Sequence, residues 1–345
     1  MKAWILHSIG DIRYEDVNIS DRKDAVLLEV KAVGICGSDI PRVYKTGAHK
    51  MPLIPGHEFA GVIRETADKT TMRDNSSISN DFTVGTRCGV FPLIPCRSCG
   101  PCKDEQYEMC RNYDYLGSRS DGGFAEYVMV PVSNLIKLPD NVSYEQAAML
   151  EPSCVALHAI RRVDDEVLKA SPSVAIIGLG TIGFLVALQL RFMGINDIIL
   201  ICNKDSQIQR AESLGFKAVI SDSTALSADI VFECVGSMKS LINAIEIVRP
   251  AGNVVTVGNP EGDMTLPKNT YWKILRDQIK LHGTWNSSFT GRADDDWHIT
   301  LDGIANKSFA PEALISHRFS LDELDKGLHI MKDKTEDYCK IMICR

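Results

Sequence analysis

Residues 173–194 read SVAIIGLGTIGFLVALQLRFMG, an apolar run, a glycine-rich turn and a second apolar stretch in direct succession. The first run predicts a buried strand and the last a helix. The turn between them has the G-x-G-x-x-G pattern, formed by Gly178, Gly180, Thr181, Ile182 and Gly183. Such a turn brings backbone amides and a helix N-terminus to a pyrophosphate, so the stretch predicts a dinucleotide site. A glycine turn that binds no nucleotide is the alternative.

The alternation of strand and helix patterns continues on both sides of this stretch, over residues 153–285. The further strand-like runs are DIILIC, ADIVFEC and GNVVTVG. Alternation of this kind predicts an α/β domain of the Rossmann type, in which helices cover both faces of a doubly wound parallel sheet.

The flanking residues, 1–152 and 286–345, predict a second domain, because 345 residues are long for one hydrophobic core. Glycine, proline and asparagine interrupt its apolar runs, which favours an irregular β domain. The C-terminal KIMICR predicts a strand that folds back onto it. The polar residues 66–83 predict an exposed loop. The apolar runs lie at 26–30, 60–63 and 124–130.

Composition excludes several classes of protein. The formal net charge of −7 offers no basic surface for nucleic acid. No apolar stretch is long enough to span a membrane, and the N-terminus does not resemble an export signal. Eleven cysteines in such a chain indicate a reducing compartment. We therefore expect a cytoplasmic protein.

Four cysteines form a C-x2-C-x2-C-x7-C cluster, Cys96, Cys99, Cys102 and Cys110. Four sulfur ligands on one compact loop are typical of a closed, structural zinc site. An iron–sulfur cluster is the alternative. A zinc ribbon that binds nucleic acid is disfavoured, since the chain lacks a basic face.

A second candidate metal site is spread over three short segments, GICGSD, GHE and LEP. Cys36, His57 and Glu151 would supply a thiolate, an imidazole and a carboxylate, leaving one position open as a catalytic zinc requires. Taken alone, these residues favour the structural alternative, because a buried cysteine and a histidine with a structural hydrogen bond explain most such residues.

The chain resembles the zinc-containing medium-chain dehydrogenases over essentially its whole length. GICGSD, GHEFAG, the cysteine cluster, DGGFAEY, LEP and GLGTIG follow one another in that family's order. GICGSDIPRVYKTGAH, PLIPCRSCGPC and YLGSRSDGGFAEY are most similar to its polyol branch. The resemblance implies a GroES-like catalytic domain, a Rossmann cofactor domain and two zinc ions per chain. It also implies a homodimer or homotetramer formed through the Rossmann domain.

The resemblance assigns roles to individual residues. Cys36, His57 and Glu151 would bind the catalytic zinc, and Glu58 would be a nearby carboxylate able to ligate in some states. The backbone around four residues would hold the nicotinamide carboxamide: Val257, Gly258, Trp285 and Asn286. Asp39 is expected to accept a hydrogen bond from His57 and fix its tautomer.

The cofactor is predicted from the residues that follow the second strand of the Rossmann domain. An NAD enzyme usually places a carboxylate there against the ribose 2'-hydroxyl. This chain has Cys202, Asn203 and Lys204 instead, with Asp205 next. The missing carboxylate and the added lysine favour NADP as the cofactor, and NAD is the alternative. If Lys204 has no role in binding, it is a solvated surface charge.

The expected reaction is hydride transfer between a secondary alcohol and NAD(P), with zinc as the Lewis acid. Ser38 is the candidate for hydrogen bonding the reacting oxygen, or else it satisfies local backbone. A polyol phosphate is favoured as substrate, similar to galactitol 1-phosphate or ribitol 5-phosphate. A free polyol or simple secondary alcohol, and a non-catalytic zinc protein that binds nucleotide, are the alternatives. The basic residues that predict a phosphate site are Arg42, Lys45, His49 and Arg119.

Overall fold

A computed structural model describes residues 1–22, 24–66, 82–220, 226–260 and 262–345. Most of the loop predicted over 66–83 lies outside these residues. The chain divides into two compact units, Met1–Glu151 with Ser288–Arg345, and Pro152–Ser287. Among the described residues, no helix has the length and apolar character needed to cross a bilayer.

Both units contain β-strands, which are numbered in chain order. They are β1 (Lys2–Ser8), β2 (Asp11–Asp16), β3 (Ala25–Ile35), β4 (Glu58–Glu65), β5 (Arg87–Val90), β6 (Leu93–Ile94), β7 (Asp114–Tyr115), β8 (Tyr127–Pro131), β9 (Leu135–Lys137), β10 (Val174–Ile177), β11 (Ile198–Cys202), β12 (Lys217–Ile220), β13 (Ala228–Glu233), β14 (Val248–Thr256), β15 (Lys280–Gly283), β16 (Ile315–Phe319) and β17 (Lys340–Cys344).

The α-helices are short in the first unit and longer in the second. They are α1 (Asp39–Pro41), α2 (Gly100–Lys103), α3 (Tyr144–Ala148), α4 (Leu150–Ile160), α5 (Asp165–Lys169), α6 (Thr181–Phe192), α7 (Asp205–Ser213), α8 (Met238–Ile247), α9 (Lys268–Arg276), α10 (Asp296–Ala305) and α11 (Leu324–Asp333). A π-helical turn, Arg42–Thr46, follows α1 directly.

The first unit is built on a seven-stranded sheet in the order β16-β17-β3-β4-β5-β9, with β8 also paired to β3. Its long strand β3 is buried along nearly its whole length and packs into a core that includes Phe59 and Phe124. Gly34, near the end of β3, pairs with Glu58 of β4 on one side and Met342 of β17 on the other. The C-terminal strand predicted from KIMICR is therefore central to this unit.

The second unit contains a six-stranded parallel sheet in the order β12-β11-β10-β13-β14-β15. If the strands are counted along the chain, this is the order 3-2-1-4-5-6 of a Rossmann fold, and it confirms the predicted fold. The strands at both edges, β12 and β15, were not predicted. The order reverses between β10 and β13, the point where such sheets bind ligands at the carboxyl ends of their strands.

Candidate metal and dinucleotide sites

The four clustered cysteines meet on the loop that carries α2. Their sulfur atoms lie within 4.8 Å of one another. Cys99 Sγ is 3.5 Å from Cys102 Sγ and 3.9 Å from Cys110 Sγ, and Cys96 Sγ is 3.9 Å from Cys102 Sγ. Sulfurs bound tetrahedrally to one zinc at about 2.3 Å are about 3.8 Å apart. The four thiols therefore fit a closed zinc site.

These thiols differ in how readily they lose a proton. Hydrogen bonding from Ser98 lowers the pKa of Cys96 to about 5, whereas burial raises the pKa of Cys102 to about 12. A metal binds the thiolate form of cysteine. Zinc entry must therefore displace the proton of Cys102, and this couples metal affinity to pH.

The second group consists of Cys36, His57 and Glu58, whose ligand atoms also lie within 4.8 Å of one another. Cys36 directly follows β3, and His57 directly precedes Glu58, the first residue of β4. Antiparallel pairing of Gly34 with Glu58 brings these two ends together. His57 and Glu58 are buried, so their polar atoms need partners that the sheet backbone does not provide. One thiol, one imidazole and one carboxylate fit a three-ligand zinc site.

Asp39 supports two members of this group from one fully buried carboxylate. Its Oδ2 accepts from the Cys36 backbone N–H at 3.0 Å, and its Oδ1 lies 3.5 Å from His57 Nδ1 and contacts Arg42. This places Nδ1 toward Asp39 and leaves Nε2 for a metal. Burial raises the pKa of Asp39, but His57 and Arg42 lower it more, so its pKa lies below the usual value.

For His57, burial and the neighbouring charges act on the pKa in the opposite directions. Burial lowers its pKa, while the charges of Asp39 and Cys36 raise it well above the usual value. The Nδ1–Oδ1 distance of 3.5 Å is long for a hydrogen bond. Among the described residues, Nδ1 has no properly formed hydrogen bond, as expected of an imidazole whose orientation a bound metal completes.

Ser38 lies against the thiol of the same group. Its hydroxyl donates to Cys36 Sγ at 3.3 Å. The hydroxyl therefore contacts a candidate ligand. Its predicted role toward a reacting oxygen stays a prediction.

Glu151, the predicted third ligand, lies outside the compact group of Cys36, His57 and Glu58, and its role as a ligand stays a prediction. The Glu151 carboxyl is buried, and Tyr115 Oη donates to its Oε1 at 3.0 Å. Burial raises its pKa to about 7. Glu151 is the second residue of α4, and the charges of His57 and Glu58 act on its carboxyl group.

The sequence did not predict Lys340, the first residue of β17. Its ammonium group is buried and donates to Glu58 Oε2 at 2.5 Å and to the Ile35 carbonyl at 3.2 Å. Burial lowers the pKa of Lys340, but Glu58 and Cys36 raise it more, so its pKa lies above the usual value. Only its apolar surroundings in KIMICR, where a lysine opens a buried strand, could have drawn attention to it.

The predicted phosphate-binding residues make different contacts. Arg42 pairs with Asp39, and Lys45 and His49 are exposed. The Arg119 guanidinium lies 4.3 Å from the centre of the Tyr113 ring. The Tyr113 and Tyr115 rings are 6.1 Å apart, and those of Tyr115 and His57 are 5.8 Å apart. Ring contacts therefore connect Arg119 to the candidate metal group, and the other three basic residues take no part in them. Tyr113 and Tyr115 were also not predicted.

The glycine-rich turn of the second unit has the geometry that a dinucleotide requires. Gly178 has a φ of +94°, and a Cβ on Gly183 would lie 2.0 Å from the Gly178 carbonyl oxygen. These glycines let the helix pack closely on the strand. A Cβ on Gly180, which begins α6 as its N-cap, would meet no atom within 4 Å. Space above Gly180 therefore fits the backbone approach of a pyrophosphate at a helix N-terminus.

At the end of β11, the three predicted cofactor-binding residues lie in different environments. Cys202 is buried, with Sγ 3.7 Å from the carbonyl oxygens of Lys204 and Val219. Asn203 and Lys204 are exposed, and Lys204 precedes α7 as its N-cap. Two exposed polar residues and a helix N-terminus are thus presented where a ribose would lie.

The residues predicted at the nicotinamide lie at and beyond the ends of β14 and β15. The Val257 and Gly258 amides donate to the Glu233 carbonyl at 2.8 and 2.9 Å. A Cβ on Gly258 would be 2.1 Å from the Gly236 nitrogen. Trp285 is 53% exposed, and Asn286 has a left-handed φ of +58°. Close backbone packing fixes Val257 and Gly258, whereas the Trp285 side chain faces solvent.

Comparison with known proteins links these sites to one family. Residues 22–140 match the alcohol dehydrogenase GroES-like domain, and residues 181–306 match the zinc-binding dehydrogenase domain. Galactitol 1-phosphate 5-dehydrogenase of Escherichia coli (strain K12) is 30% identical, over 95% of each chain. The chain belongs to the zinc-binding alcohol dehydrogenase family. It is therefore an oxidoreductase with a small-molecule substrate, and the non-catalytic interpretation is wrong.

Solved structures of the zinc-binding alcohol dehydrogenases agree with this assignment. The galactitol-1-phosphate dehydrogenase structure from Escherichia coli has a TM-score of 0.87 at 28% identity, covering 100% of both chains. A zinc-binding dehydrogenase from Sinorhizobium meliloti, bound to NADP, has a TM-score of 0.86 at 26% identity, covering 100% of this chain and 99% of the other. The predicted polyol-branch resemblance and the two-domain fold are confirmed. Zinc and a nicotinamide dinucleotide are the cofactors of this enzyme.

Proposed function

We propose that this enzyme transfers hydride between a secondary alcohol of a polyol phosphate and NADP. Substrates similar to galactitol 1-phosphate or ribitol 5-phosphate have the required chemistry. The observation that carries the proposal is the chain of ring contacts from His57 to the Arg119 guanidinium. These contacts would connect a cation to the metal group, and a terminal phosphate of the substrate would lie against that cation.

We assign the metal-binding roles to the two compact groups. Cys36, His57 and Glu58 would hold the catalytic zinc, and the four clustered cysteines the structural zinc. When bound, the catalytic zinc supplies Lewis acidity toward a carbon–oxygen bond, and the dinucleotide takes or gives the hydride. The residues 1–152 and 286–345 would form the catalytic domain and 153–285 the cofactor domain.

The protein's own groups would orient the substrate and move its proton. Ser38 Oγ, which donates to Cys36 Sγ at 3.3 Å, can turn to a substrate oxygen. Glu151 is buried beside the metal group, where the charges of His57 and Glu58 act on its carboxyl, and its predicted role as a ligand is the alternative to that of Glu58. Tyr115 Oη keeps that carboxyl in place through its 3.0 Å hydrogen bond.

Arg119 is suited to bind a phosphate. Among the described residues, no carboxylate forms an ion pair with it, so its guanidinium charge is available. The cavity of about 160 Å³ that Arg119 borders is lined by described residues outside the metal group, so the ring contacts and not this cavity support the phosphate role. A bidentate arginine contact distinguishes a phosphate ester from a free hydroxyl.

NADP is proposed as the preferred cofactor on the basis of the exposed Asn203 and Lys204. Cys202 turns its thiol inward, so no carboxylate side chain follows β11 until Asp205. The relative from Sinorhizobium meliloti was solved with NADP bound. Lys204→Ala is expected to raise KM for NADP about 10-fold while KM for NAD changes little, because one charge-assisted hydrogen bond is lost.

The test of the substrate proposal is a panel of polyols and polyol phosphates with NAD and NADP at matched concentrations. The Arg119→Ala variant is expected to lower kcat/KM for the phosphate ester about 10- to 100-fold and leave the free polyol almost unchanged. Arg162→Ala, which removes an exposed arginine of the other unit, is the matched control. An unaltered preference for the ester in Arg119→Ala contradicts the phosphate assignment.

A free polyol is the second candidate substrate, because Arg42 pairs with the buried Asp39 and is occupied there. In that case Arg119 would contact a hydroxyl. The same panel separates the two candidates, since a free-polyol enzyme would use sorbitol-like substrates at least as efficiently as their phosphates.

We also propose that the enzyme is a homodimer or homotetramer associated through the Rossmann domain. Its edge strand β15 pairs with β14 on one side, and Leu281 on it is 47% exposed. The nearby helix α9 exposes Tyr271, Trp272 and Leu275. In the described part of the chain, β15 pairs on one side only, and this strand edge and the exposed apolar side chains of α9 favour association with a second copy of the chain.

A further inference from the structure

Glu58 is fixed by one of its two carboxylate oxygens. Lys340 Nζ donates to Glu58 Oε2 at 2.5 Å, and its second hydrogen bond, to the Ile35 carbonyl at 3.2 Å, anchors the lysine to β3. The side chains of Lys340 and Glu58 are 2% and 1% exposed. Lysine is almost never buried this completely unless its charge is paired.

Gly34 makes room for the same oxygen. A Cβ on Gly34 would lie 2.2 Å from Glu58 Oε2, and the next nearest atoms, 3.4 Å away, also belong to the Glu58 side chain. The carboxylate therefore lies directly over the Gly34 backbone. Any larger residue at this position would displace Oε2.

The sheet explains why these three residues meet. Gly34 pairs with Glu58 on one side and with Met342 on the other. Side chains two residues apart on a strand share a face, so Lys340 lies on the face of Met342. Lys340 and Glu58 thus reach toward each other across the strand that contains the glycine. We call Gly34 and Lys340 together the carboxylate seat.

We propose that the carboxylate seat restricts Glu58 to one ligand oxygen on the catalytic zinc, because Lys340 and the Gly34 backbone already fix Oε2. The inference rests on the proposed zinc site at Cys36, His57 and Glu58. A carboxylate can bind a metal through one oxygen or two, and residues behind a ligand decide which geometry it adopts. A second oxygen from Glu58 would take the position that a catalytic zinc keeps open for substrate. Gly34 and Lys340 are therefore positioning residues.

Two variants release Oε2 by independent routes. Lys340→Met removes the hydrogen bond at similar side-chain length. Gly34→Ala fills the space, and its clash falls on the movable end of the Glu58 side chain. Lys137→Met, which changes an exposed lysine on β9 of the same sheet, is the control for the lysine substitution.

The measurement is the visible spectrum of the cobalt-substituted enzyme, because four-coordinate cobalt(II) absorbs much more strongly than five-coordinate cobalt(II). The absorbance of cobalt in the four-cysteine loop is measured in a His57→Ala variant and subtracted. For Lys340→Met and Gly34→Ala, we expect the remaining absorbance per cobalt to fall about two-fold or more as a fifth ligand binds. We expect kcat to fall about 10- to 100-fold. Lys137→Met should match the wild type in both.

Unchanged cobalt spectra in both variants would overturn the proposal, even if activity falls, because a structural role alone does not alter coordination number. A Glu58→Gln/Lys340→Met double variant tests whether Lys340 acts through Glu58. Once Glu58 is replaced, adding Lys340→Met should change the spectrum no further. Since the spectrum requires no substrate, it is independent of the phosphate assignment. If the wild type binds no cobalt beyond the amount that the His57→Ala variant binds, the proposed metal site itself is contradicted.

Discussion

Asp39 connects the metal group to the rest of the first unit through one buried carboxylate. It accepts from the Cys36 amide and lies 3.5 Å from His57 Nδ1, so it orients two candidate ligands together. Asp39→Asn keeps the shape but removes the charge. We predict about 10- to 100-fold weaker zinc binding at this site, since partners of metal ligands typically contribute that much. Competition with a chromophoric chelator measures it, and unchanged affinity would contradict the role of Asp39.

The individual residues of the site were predictable where a local motif marks them. Cys36 and His57 lie in GICGSD and GHE, and the structure brings them together. The contacts of Lys340 were not predictable, because 282 positions separate it from Glu58 and only the sheet register joins them. The same applies to Tyr115, which reaches Glu151 from 36 positions away.

The four-cysteine loop is an element whose folding should depend on its metal. Burial raises the pKa of Cys102 to about 12, so its proton competes with zinc. We predict that zinc affinity of this loop rises with pH between about 6 and 8, with proton release on binding. Calorimetric titration in buffers of different ionisation enthalpy measures that release. A proton count of zero would contradict the thiol assignment.

The start of α10 carries a pH-dependent pair whose residues belong to neither metal group. Asp295 is the helix N-cap, accepting from the His298 amide at 2.9 Å, and its Oδ1 lies 2.8 Å from His298 Nδ1. The hydrogen bond to Asp295 raises the pKa of His298 above its usual value. A raised histidine pKa stabilises the fold fully below about pH 6.5, and this contribution is lost as pH rises through the raised value.

We therefore predict that His298→Gln lowers the melting temperature most at about pH 6 and progressively less toward about pH 9. Thermal melts across this range measure the difference between variant and wild type. His329→Gln, which changes an exposed histidine of α11, is the control. A difference that grows with pH would contradict the sign of the shift.

The strands of the second unit were predicted unevenly. The strands β10, β11, β13 and β14 match apolar runs, because strands inside a parallel sheet are buried on both faces. The edge strands β12 and β15 have exposed residues and begin with lysine, as their burial patterns show. A short half-exposed strand has no continuous apolar run, and only its pairing with a neighbour defines it.

Assembly of the whole molecule is predicted to depend on the β15 edge. Leu281→Lys adds a charge to an exposed strand edge, which opposes pairing with a second copy. We expect the variant to elute as a monomer while the wild type elutes as a dimer or tetramer. Size-exclusion chromatography with light scattering distinguishes these states. An equally large assembly in the variant would contradict association through β15.

The whole account depends on a catalytic zinc bound by Cys36, His57 and Glu58, separate from the zinc of the four cysteines. Elemental analysis of the purified protein tests this most directly. We predict one zinc for each of the two groups in the wild type. His57→Ala should lose one of them and about 1,000-fold or more of the dehydrogenase activity. A His57→Ala protein that keeps its full zinc content and its activity would contradict the account.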